Sequence, residues 1–304
     1  MRGLTVADER TYALVTPLRD EAENLQRLSA AIDRQTQLPL AWVIVDNGST
    51  DATVEVATEL ALTRPWIRVM SVPAEPGRPK PGAPIVRAFH AGLKELEELK
   101  APTSVIVKLD ADTSMEPDHF ERLLAAFASE PRLGIASGTC LELQNGRWEP
   151  VAVALGHVRG AVRAYRRECL EEVLPLEERV GWDGIDGFKA NLRGWTTRML
   201  PELSFYHHRP LGVRDGAPAA RWRAQGEAAY YMGYRFSYLL LRSLYRARRQ
   251  PRALAMSTSY LAAAIRREPR CRDADVRNYV RQKQRLRTVA LERAGRTNGS
   301  TSRA

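Results

Sequence analysis

The fold of this chain is decided by the stretch SVIVKLDADTSMEPDHF, residues 104–120. Residues 104–110 predict a strand buried on both faces of a sheet, and residues 116–129 predict the helix that follows it. The run AWVIVD, residues 41–46, predicts a second buried strand, and Asp51 to Leu62 predicts the helix after it. Strands that alternate with helices in this order indicate an α/β protein with a mainly parallel sheet.

The alternation continues on both sides of these two pairs. Residues 11–18 and 66–72 predict two further strands, and Asp20 to Arg34 has apolar residues at helical spacing. Residues 73–84, PAEPGRPKPGAP, then connect a strand to the next helix. This connection is either a plain surface loop or a ligand-binding loop, because open α/β sheets bind ligands at the carboxyl edge of the sheet.

Length and composition place the chain among globular proteins without a membrane span. Of 304 residues, 44% are hydrophobic and 27% are charged, which excludes disorder for most of the chain. The longest stretch without Asp, Glu, Lys or Arg, residues 253–265, is shorter than the ~20 residues that cross a bilayer. No signal peptide is visible, and three widely spaced cysteines fit neither a disulfide framework nor a metal knuckle. We therefore expect a cytoplasmic protein, either soluble or peripheral at the inner face of the cell membrane.

The formal net charge of +10 is unevenly distributed along the chain. Residues 209–304 hold 22 Lys and Arg against 6 Asp and Glu, whereas residues 1–208 hold 24 against 30. The acidic excess argues against nucleic-acid binding by the first two thirds, and no recognisable nucleic-acid module accompanies the basic third.

The basic third predicts helices over Ala219 to Arg249, Arg252 to Arg267 and Asp275 to Leu291. Their arginines form a solvated face, a surface for anionic membrane lipid, or a self-association surface.

Two groups of polar residues come directly after predicted strands. Asp46 ends its strand, and Asn47 and Ser49 lie in the following turn. The Asp46 carboxylate either accepts hydrogen bonds from a nucleobase or ribose, or closes a plain Asx turn. Asp110 and Asp112 are separated by one residue, and two carboxylates at this spacing can share a hard divalent cation that also holds a diphosphate. Their place after a buried strand favours the cation site over a polar turn.

A third group of acids lies in GWDGIDGFKANLRGW, residues 181–195. Asp183 and Asp186 fall on one face if this segment is helical. Either one of them is a general base in a pocket walled by Trp182 and Trp195, or both complement the helix dipole.

Two adjacent histidines follow this segment. Residues 196–200, TTRML, and residues 203–208, LSFYHH, predict two short strands, and His207 and His208 end the second. In a chain that carries Asp-x-Asp, this pair is a candidate for a further metal ligand.

Four stretches together resemble the family 2 glycosyltransferases of bacteria. They are residues 13–53, residues 107–124, residues 159–173 and residues 181–195. The resemblance covers about residues 10–210, and its order and spacing are more specific than any single string. It implies the GT-A fold, in which a nucleotide-binding α/β sheet merges with an acceptor-binding half. It also implies transfer of a sugar from a nucleotide-diphosphate sugar, mostly with inversion at the anomeric carbon.

The resemblance further implies a donor site. Asp110 and Asp112 match the pair that holds the ribose, the diphosphate and a Mg2+ or Mn2+ ion. The other implied nucleotide-binding residues are Thr16, Pro17 and Glu21 in the loop after the first strand, Asp46 with Asn47 and Ser49 at the base, and Lys80 and Arg87 in and after the proline-rich connection.

The acceptor side of the family pattern is Glu-Asp, then an Arg, then a Gly before an aromatic residue. Counting back eleven residues from Gly194 puts Asp183 at the Asp of that pattern, while Trp182 stands where the pattern has Glu. Asp183 is therefore the expected base, and Asp186 is its rival. The hydrophobic rim predicts a raised pKa for the base.

These expectations describe a metal-dependent glycosyltransferase of the hexosyltransferase type. Residues 1–210 would form the catalytic domain, followed by a basic helical region, 211–292, and a disordered tail, 293–304. The expected donor is a UDP-, GDP- or dTDP-sugar. The acceptor would be a sugar, a lipid-linked molecule or a polyanion in polysaccharide, glycolipid or surface-glycan biosynthesis.

Two alternatives and one further property accompany this hypothesis. A nucleotidyltransferase has a similar sheet, but its Gly-rich first loop is missing from VTPLRDEAENL, residues 15–25. A non-catalytic basic binding protein on a degenerate transferase fold would not need all three acid groups. The basic third also makes a homo-oligomer a candidate state.

Overall fold

The computed structural model describes residues 11–73, 81–151, 157–209 and 218–284. The chain forms two compact units, Met1–Leu211 and Gly212–Ala304. Within the described residues, the first unit is a sheet covered by helices, and the second contains helices alone.

The strands of the first unit, where described, belong to one nine-stranded sheet. In chain order they are β1 (Tyr12–Leu18), β2 (Ala41–Asp46), β3 (Ile67–Ser71), β4 (Val105–Leu109), β5 (Thr113–Met115), β6 (Leu133–Gln144), β7 (Arg147–Pro150), β8 (Val162–Arg166) and β9 (Thr196–His207). The helices of this unit are α1 (Ala22–Asp33), α2 (Thr53–Thr63), α3 (Ala83–Glu98), α4 (His119–Ser129), α5 (Arg167–Val173) and α6 (Trp182–Leu192).

The sheet is parallel over its first half and mixed over the rest. Its strand order is β3-β2-β1-β4-β8-β6-β9-β5, with β7 paired to β6. β3, β2, β1 and β4 are parallel neighbours, whereas β8 runs antiparallel to both β4 and β6. The α/β fold class expected from the sequence is confirmed, and the parallel expectation applies to the four strands that alternate with helices.

Alternating side chains of the parallel strands fill two separate cores. In β2, Trp42 and Ile44 join the core that contains α1 and α4, while Val43 and Val45 join the core that contains α3. All six residues of β2 are buried, because helices cover both faces of the sheet. Because helices cover both faces of the sheet, polar residues that could bind a ligand are expected at the carboxyl edge of the parallel strands.

The second half of the sheet contains elements that the sequence analysis did not predict. β6 and β7 form a hairpin around Asn145 and Gly146, whose φ angles of 50° and 78° suit a tight turn that favours Asn-Gly. The two short strands predicted over 196–208 are instead one strand, β9. Its register against β6 shifts between Gly138 and Thr139, so that the chain passes Pro201 without ending the strand.

The second unit contains α7 (Pro218–Tyr231), α8 (Phe236–Ala247), a short 3₁₀ helix (Pro251–Leu254), α9 (Ala255–Ile265) and α10 (Ala274–Lys283). The single helix predicted over Ala219 to Arg249 is wrong, because Gly233, with a φ of 75°, interrupts it. Residues 285–291 of the third predicted helix, and the tail 293–304, lie outside the described residues.

The core of the second unit is built around aromatic side chains. Trp222 and Tyr230 of α7 pack with Met256 and Tyr260 of α9. The two helices approach closely at Gly226, where an added Cβ would lie 2.1 Å from the carbonyl oxygen of Met256. No helix in the described part of the chain is both long and apolar enough to span a membrane.

Candidate active site

Two acids and one histidine meet at the carboxyl edge of the sheet. Asp110 and Asp112 follow the end of β4, and β5 begins directly after them at Thr113. β5 pairs antiparallel with β9 so that Thr113 lies opposite His207. This pairing brings Nε2 of His207 to 3.3 Å from Oδ1 of Asp112, and one ligand atom from each of the three residues lies within 4.8 Å of the others.

The charges of this cluster are strongly coupled. Burial favours the neutral form of Asp112, but the imidazole of His207 lowers the pKa of Asp112 below its usual value. Burial likewise disfavours a charged His207, yet the carboxylates of Asp112 and Glu142 raise the pKa of His207 to about 9. Burial raises the pKa of Asp110, although the ammonium group of Lys108 opposes that shift. The charges of Asp110, Asp112 and His207 therefore influence one another's pKa values.

The donor set fits a divalent cation. Carboxylate oxygens suit Mg2+ and Mn2+, and an imidazole nitrogen is acceptable to Mn2+. His208 is not part of this set, because its Nε2 lies 2.7 Å from Oγ of Ser114 and its ring contacts the edge of Trp148. Between the two histidines that the sequence analysis proposed, His207 is the one beside Asp110 and Asp112.

A second carboxylate lies behind His207. Oε1 of Glu142, on β6, is 3.5 Å from Nδ1 of His207 and 3.5 Å from Nη2 of Arg159. Metal-binding histidines commonly donate their second ring N–H to such a carboxylate. Cys140 lies in the same group and is buried. The sequence analysis did not identify Glu142 or Arg159, because neither belongs to a local motif.

On the nucleotide side, several candidate side chains bond to the protein itself. Both carboxylate oxygens of Asp46 accept backbone N–H bonds, at 3.1 Å each, from Gly48 and Ser49. The hydroxyl of Thr16 accepts a 2.8 Å bond from the indole N–H of Trp42. Pro17 is buried within β1, and the backbone N–H of Asn47 donates to the carbonyl of Leu18. Asp46 therefore forms the Asx turn that the sequence analysis considered, and this turn lies at the carboxyl edge of the sheet.

Glu21 is paired with an arginine that the sequence analysis did not consider. Nη1 of Arg209 donates to Oε1 of Glu21 at 2.9 Å, and Nη2 contacts the other oxygen. Glu21 is 6% exposed. Arg209 lies two residues after the end of β9. The ion pair therefore joins the loop after β1 to the end of β9 beside Asp112, whose charge also acts on Arg209.

Lys80 and Arg87, near the proline-rich connection, are the two basic residues predicted to contact the nucleotide. Lys80 lies outside the described residues. Arg87 lies on α3, with Nε 3.9 Å from Oε2 of Glu178. Gly82, at the start of the same helix, approaches the backbone of Arg179 so closely that an added Cβ would lie 2.7 Å from its carbonyl carbon.

Asp183 lies in the first turn of α6, after Gly181, whose φ is 89°. Its Oδ2 is 3.3 Å from Nε2 of His157. Burial would raise the pKa of Asp183, but His157, Arg163 and Lys108 lower it to about 2. The raised pKa expected from the sequence is wrong, because three nitrogen-bearing side chains outweigh the hydrophobic rim.

Asp186 is enclosed in an ion pair and is 1% exposed. Its two oxygens accept bonds from Arg163, at 2.6 and 3.0 Å, and Oδ2 also accepts a 2.5 Å bond from the hydroxyl of Tyr165. Burial raises the pKa of Asp186. All partners of its carboxylate are buried protein groups, so Asp186 holds β8 against α6.

The chain is similar to known proteins over the sheet that carries these residues. Residues 13–150 match the family model described as glycosyl transferase family 2. The chain resembles the family 2 glycosyltransferases over these residues, as the sequence analysis expected. Its expected enzyme class, glycosyltransferase, is confirmed.

Two curated relatives of this glycosyltransferase come from mycobacteria. The chain is 29% identical over 189 residues to polyprenol monophosphomannose synthase of Mycolicibacterium smegmatis, covering 56% of this chain and 66% of that protein. It is 23% identical over 257 residues to N-acetylglucosaminyl-diphospho-decaprenol L-rhamnosyltransferase of Mycobacterium tuberculosis, covering 68% of this chain and 78% of that protein.

Solved structures share the fold of this glycosyltransferase. The mannosyltransferase PcManGT of Pyrobaculum calidifontis, in complex with GDP-Man and Mn2+, aligns over 94% of this chain and 79% of its own, with a TM-score of 0.56 and 19% identity. GalNAc-T7 with UDP, GalNAc and Mn2+ aligns over 86% of this chain and 55% of its own, with a TM-score of 0.56 and 13% identity. These likenesses confirm the GT-A fold.

A buried lysine links the two halves of the candidate site. Nζ of Lys108 contacts Asp110, donates to the carbonyl of Gly160 at 2.9 Å, and lies 5.6 Å from the ring centre of Trp182. Lys108 is 2% exposed, and it was missed because it stands inside a strand that looked apolar throughout. The expected second wall, Trp195, lies beyond the other end of α6, where its indole N–H donates to Glu172.

Proposed function

We propose that this enzyme transfers a sugar from a nucleotide-diphosphate sugar to a hydroxyl group of a lipid-linked acceptor, with Mg2+ or Mn2+ as cofactor. The observation that carries the proposal is the meeting of Asp110, Asp112 and His207 at the carboxyl edge of the sheet, with Asp183 connected to them through Lys108. A donor diphosphate and an acceptor hydroxyl need such a pair of neighbouring sites.

Each part of the site has a separate task in this proposal. Asp110, Asp112 and His207 hold the cation, which would offset the charge that develops on the leaving diphosphate. Glu142 fixes the ring of His207. The nucleotide is proposed to bind beside the turn that Asp46 closes. The residues proposed to line this position are Thr16, Pro17, Asn47 and Ser49. Glu21, Lys80 and Arg87 are also proposed to contact the donor. Glu21 would then bind both the donor and Arg209.

Asp183 supplies the negative charge of the acceptor side. The reaction needs a group that removes the proton of the acceptor hydroxyl while the bond to the anomeric carbon forms. The carboxylate of Asp183 and the imidazole of His157 beside it are the groups proposed to meet that need. Displacement from the face opposite the diphosphate would invert the anomeric centre. Asp186 is not proposed as the base, because its oxygens are occupied by Arg163 and Tyr165.

The substrates are supported by the relatives. Both curated relatives are named for polyprenol-linked molecules, and the solved relatives hold GDP-Man or a uridine nucleotide. By analogy, we propose a GDP- or UDP-sugar as donor, with a dTDP-sugar as a third candidate, and a sugar hydroxyl of a polyprenyl diphosphate sugar as acceptor. The product would enter a glycolipid or surface-glycan pathway.

The experiment begins with thermal unfolding of the full chain in the presence of UDP-, GDP- and dTDP-sugars, with and without Mn2+. Binding to the folded state raises the Tm by mass action, so one donor should raise the Tm only when Mn2+ is present. That donor is then incubated with a polyprenyl diphosphate sugar, whose sugar hydroxyls are the possible acceptors, and the products are identified. A glycosylated lipid with a released nucleotide supports the proposal, whereas release of pyrophosphate would identify a nucleotidyltransferase.

We also propose that the second unit holds the enzyme at an anionic membrane surface on the inner face of the cell membrane. On α8, four apolar side chains that recur at helical spacing are exposed: Leu240 37%, Leu241 55%, Leu244 50% and Tyr245 71%. The guanidinium of Arg248 lies 5.8 Å from the ring centre of Tyr245. Apolar side chains can enter the interface while arginines reach lipid phosphates.

The electrostatics of the second unit support an anionic partner. Burial and the like charges of Arg242 and Arg221 lower the pKa of Arg246, which means that cations are crowded around this helix. Negative lipid headgroups would relieve that repulsion. Residues 1–210 are accordingly proposed as the catalytic domain and residues 211–292 as a membrane-contacting helical region. Self-association through the same face is the competing outcome.

A further inference from the structure

A histidine that no sequence motif contains lies beside the proposed acceptor site. Nε2 of His157 is 3.3 Å from Oδ2 of Asp183, and the side chain of His157 is 32% exposed. Among the described residues, Nδ1 of His157 has no hydrogen-bond partner. One ring nitrogen therefore faces the carboxylate, and the other is left for a further interaction.

The segment that carries His157 is held in place by two buried cations. The guanidinium of Arg163 donates to the carbonyl of Val158, and Nζ of Lys108 donates to the carbonyl of Gly160 at 2.9 Å. Val158 is 2% exposed. The backbone on the C-terminal side of His157 is thus anchored to β4 and β8, the strands on which those cations lie.

The contact with α6 depends on Gly160. A Cβ at this position would lie 2.8 Å from the ring of Trp182 and 3.6 Å from Oδ2 of Asp183. The absence of a side chain lets residues 157–160 lie directly against the start of α6. The approach of His157 to Asp183 is therefore built into the packing of Gly160 on Trp182.

Neither carboxylate of α6 is a good proton acceptor in this environment. Burial favours a proton on Asp183, but His157, Arg163 and Lys108 outweigh burial and lower the pKa of Asp183 to about 2. A general base works best when its pKa lies near the working pH. Asp186 bonds to Arg163 and Tyr165 and faces no open space. Histidine is the side chain type that ordinarily gains and loses a proton near neutral pH.

We propose that His157 is the catalytic base of the glycosyl transfer and that Asp183 is the positioning residue that orients its ring. The inference rests on the proposed function, because it names the proton acceptor for the same transfer. As the acceptor oxygen forms its bond to the anomeric carbon, the bond from that carbon to the diphosphate oxygen breaks. The electron pair leaves with the nucleoside diphosphate, the hydroxyl proton moves to the second ring nitrogen of His157, and Asp183 stabilises the imidazolium.

The charged groups that face this pair come from three elements. They are Lys108 of β4, Arg163 of β8 and Asp186 of α6, and Asp186 is neutralised by Arg163. Lys108 and Arg163 both act on the carboxylate of Asp183, so they favour its charged form throughout the working pH range. The group expected to change its charge during the reaction is the imidazole.

Two substitutions separate a base from a positioning residue. His157→Gln keeps an N–H that can donate to Asp183, but its amide cannot take a proton at neutral pH, and His157→Ala removes both properties. If His157 is the base, both variants lose kcat by about 10²–10⁴-fold with a much smaller change in KM for the donor. If His157 only holds Asp183, His157→Gln retains most of the activity.

The pH profile gives the second readout. Wild-type kcat should fall on the acid side with the uptake of one proton, and this fall should be absent from the residual activity of His157→Gln. Donor and Mn2+ binding, measured by calorimetry, and the Tm should stay near the wild-type values in both variants. His90→Gln is the matched control, because His90 is a partly buried histidine whose Nε2 accepts from the backbone of Leu176.

The outcomes distinguish this proposal from the proposed function. A wild-type protein that transfers no sugar contradicts both. Wild-type transfer with near-normal kcat in His157→Gln contradicts only the assignment of His157 as the base. Loss of kcat in His157→Gln with an unchanged acid limb also overturns it, because another group would then take the proton.

Discussion

Nε2 of His207 lies 3.3 Å from Oδ1 of Asp112, although the two residues reach this position from different strands. The contact exists because β5, which begins directly after Asp112, pairs with the end of β9. Antiparallel pairing of Thr113 with His207 sets the histidine above the Asp-x-Asp turn. This register brings two carboxylates and one imidazole together, and they form the proposed cation site.

The Asp112→Asn substitution tests the cation site. It removes an anionic oxygen at nearly constant volume, so we expect Mn2+-dependent donor binding and sugar transfer to be lost while the fold stays intact. Calorimetry with the donor nucleotide and Mn2+ measures the first effect. Asp118→Asn, at an exposed position before α4, is the control, and full transfer by Asp112→Asn would overturn the assignment.

The Glu142→Gln substitution tests the support behind His207. The amide carries no charge and holds the imidazole less firmly, so the affinity for Mn2+ should fall about 10–100-fold. The loss should appear as a higher Mn2+ requirement with a smaller change in kcat at saturating metal. Glu149→Gln, on the exposed strand β7, should bind Mn2+ like the wild type. Equal Mn2+ affinity in wild type and Glu142→Gln would exclude this role.

The Asp186→Asn substitution separates a structural carboxylate from a catalytic one. It leaves the buried guanidinium of Arg163 without a charged partner, and breaking a buried ion pair costs about 3–5 kcal/mol. We expect a lower urea midpoint, with residual activity in the folded fraction. An Asp186→Asn protein of normal stability that transfers no sugar would instead restore Asp186 as the rival base.

The pH dependence of stability should report Asp183. Its pKa is lowered to about 2 in the folded protein, so its carboxylate stabilises the fold above the pKa of the unfolded chain, and this contribution is lost as the pH falls toward 2. Between pH 5 and pH 3, the wild type should lose about 1 kcal/mol more than Asp183→Asn. Urea unfolding at both pH values measures the difference. Identical pH dependence would show that Asp183 is not held by neighbouring cations.

The exposed face of α8 is tested with vesicles. The wild type should co-sediment with phosphatidylglycerol vesicles but not with phosphatidylcholine vesicles, and high salt should weaken binding because it screens the arginines. The double substitution Leu241→Glu and Leu244→Glu should abolish binding. Leu62→Glu, at an 81% exposed leucine of α2, should not. Negligible binding to both lipids would remove the membrane role, and a change in oligomeric state caused by the double substitution would assign the face to self-association.

Much of the fold could be predicted because its signals are local. The apolar runs of β1, β2 and β4 are hydrophobic throughout, since helices cover both of their faces. Parallel strands end at the same edge, so Asp46 and Asp110 could be placed together without coordinates. The Asn145-Gly146 hairpin was also readable from its residues, and it was missed.

The choices that remained open depended on long-range packing. His207 and His208 are adjacent, and only the pairing of β9 with β5 turns His207 toward Asp112 and His208 toward Ser114. Asp183 and Asp186 share a helix, and the position of Arg163 on β8 encloses one and not the other.

The amino-acid sequence by itself determined the α/β class, the resemblance to a family and the order of the acids along the sheet edge, because strand hydrophobicity and turn chemistry act over a few neighbouring residues. Only the tertiary structure decided which histidine lies beside Asp110 and Asp112, which acid of α6 is accessible, and that Lys108 and His157 lie beside these acids. Those outcomes depend on strand register and on which distant side chains share a low-dielectric interior, where a single neighbouring charge determines the protonation of a group.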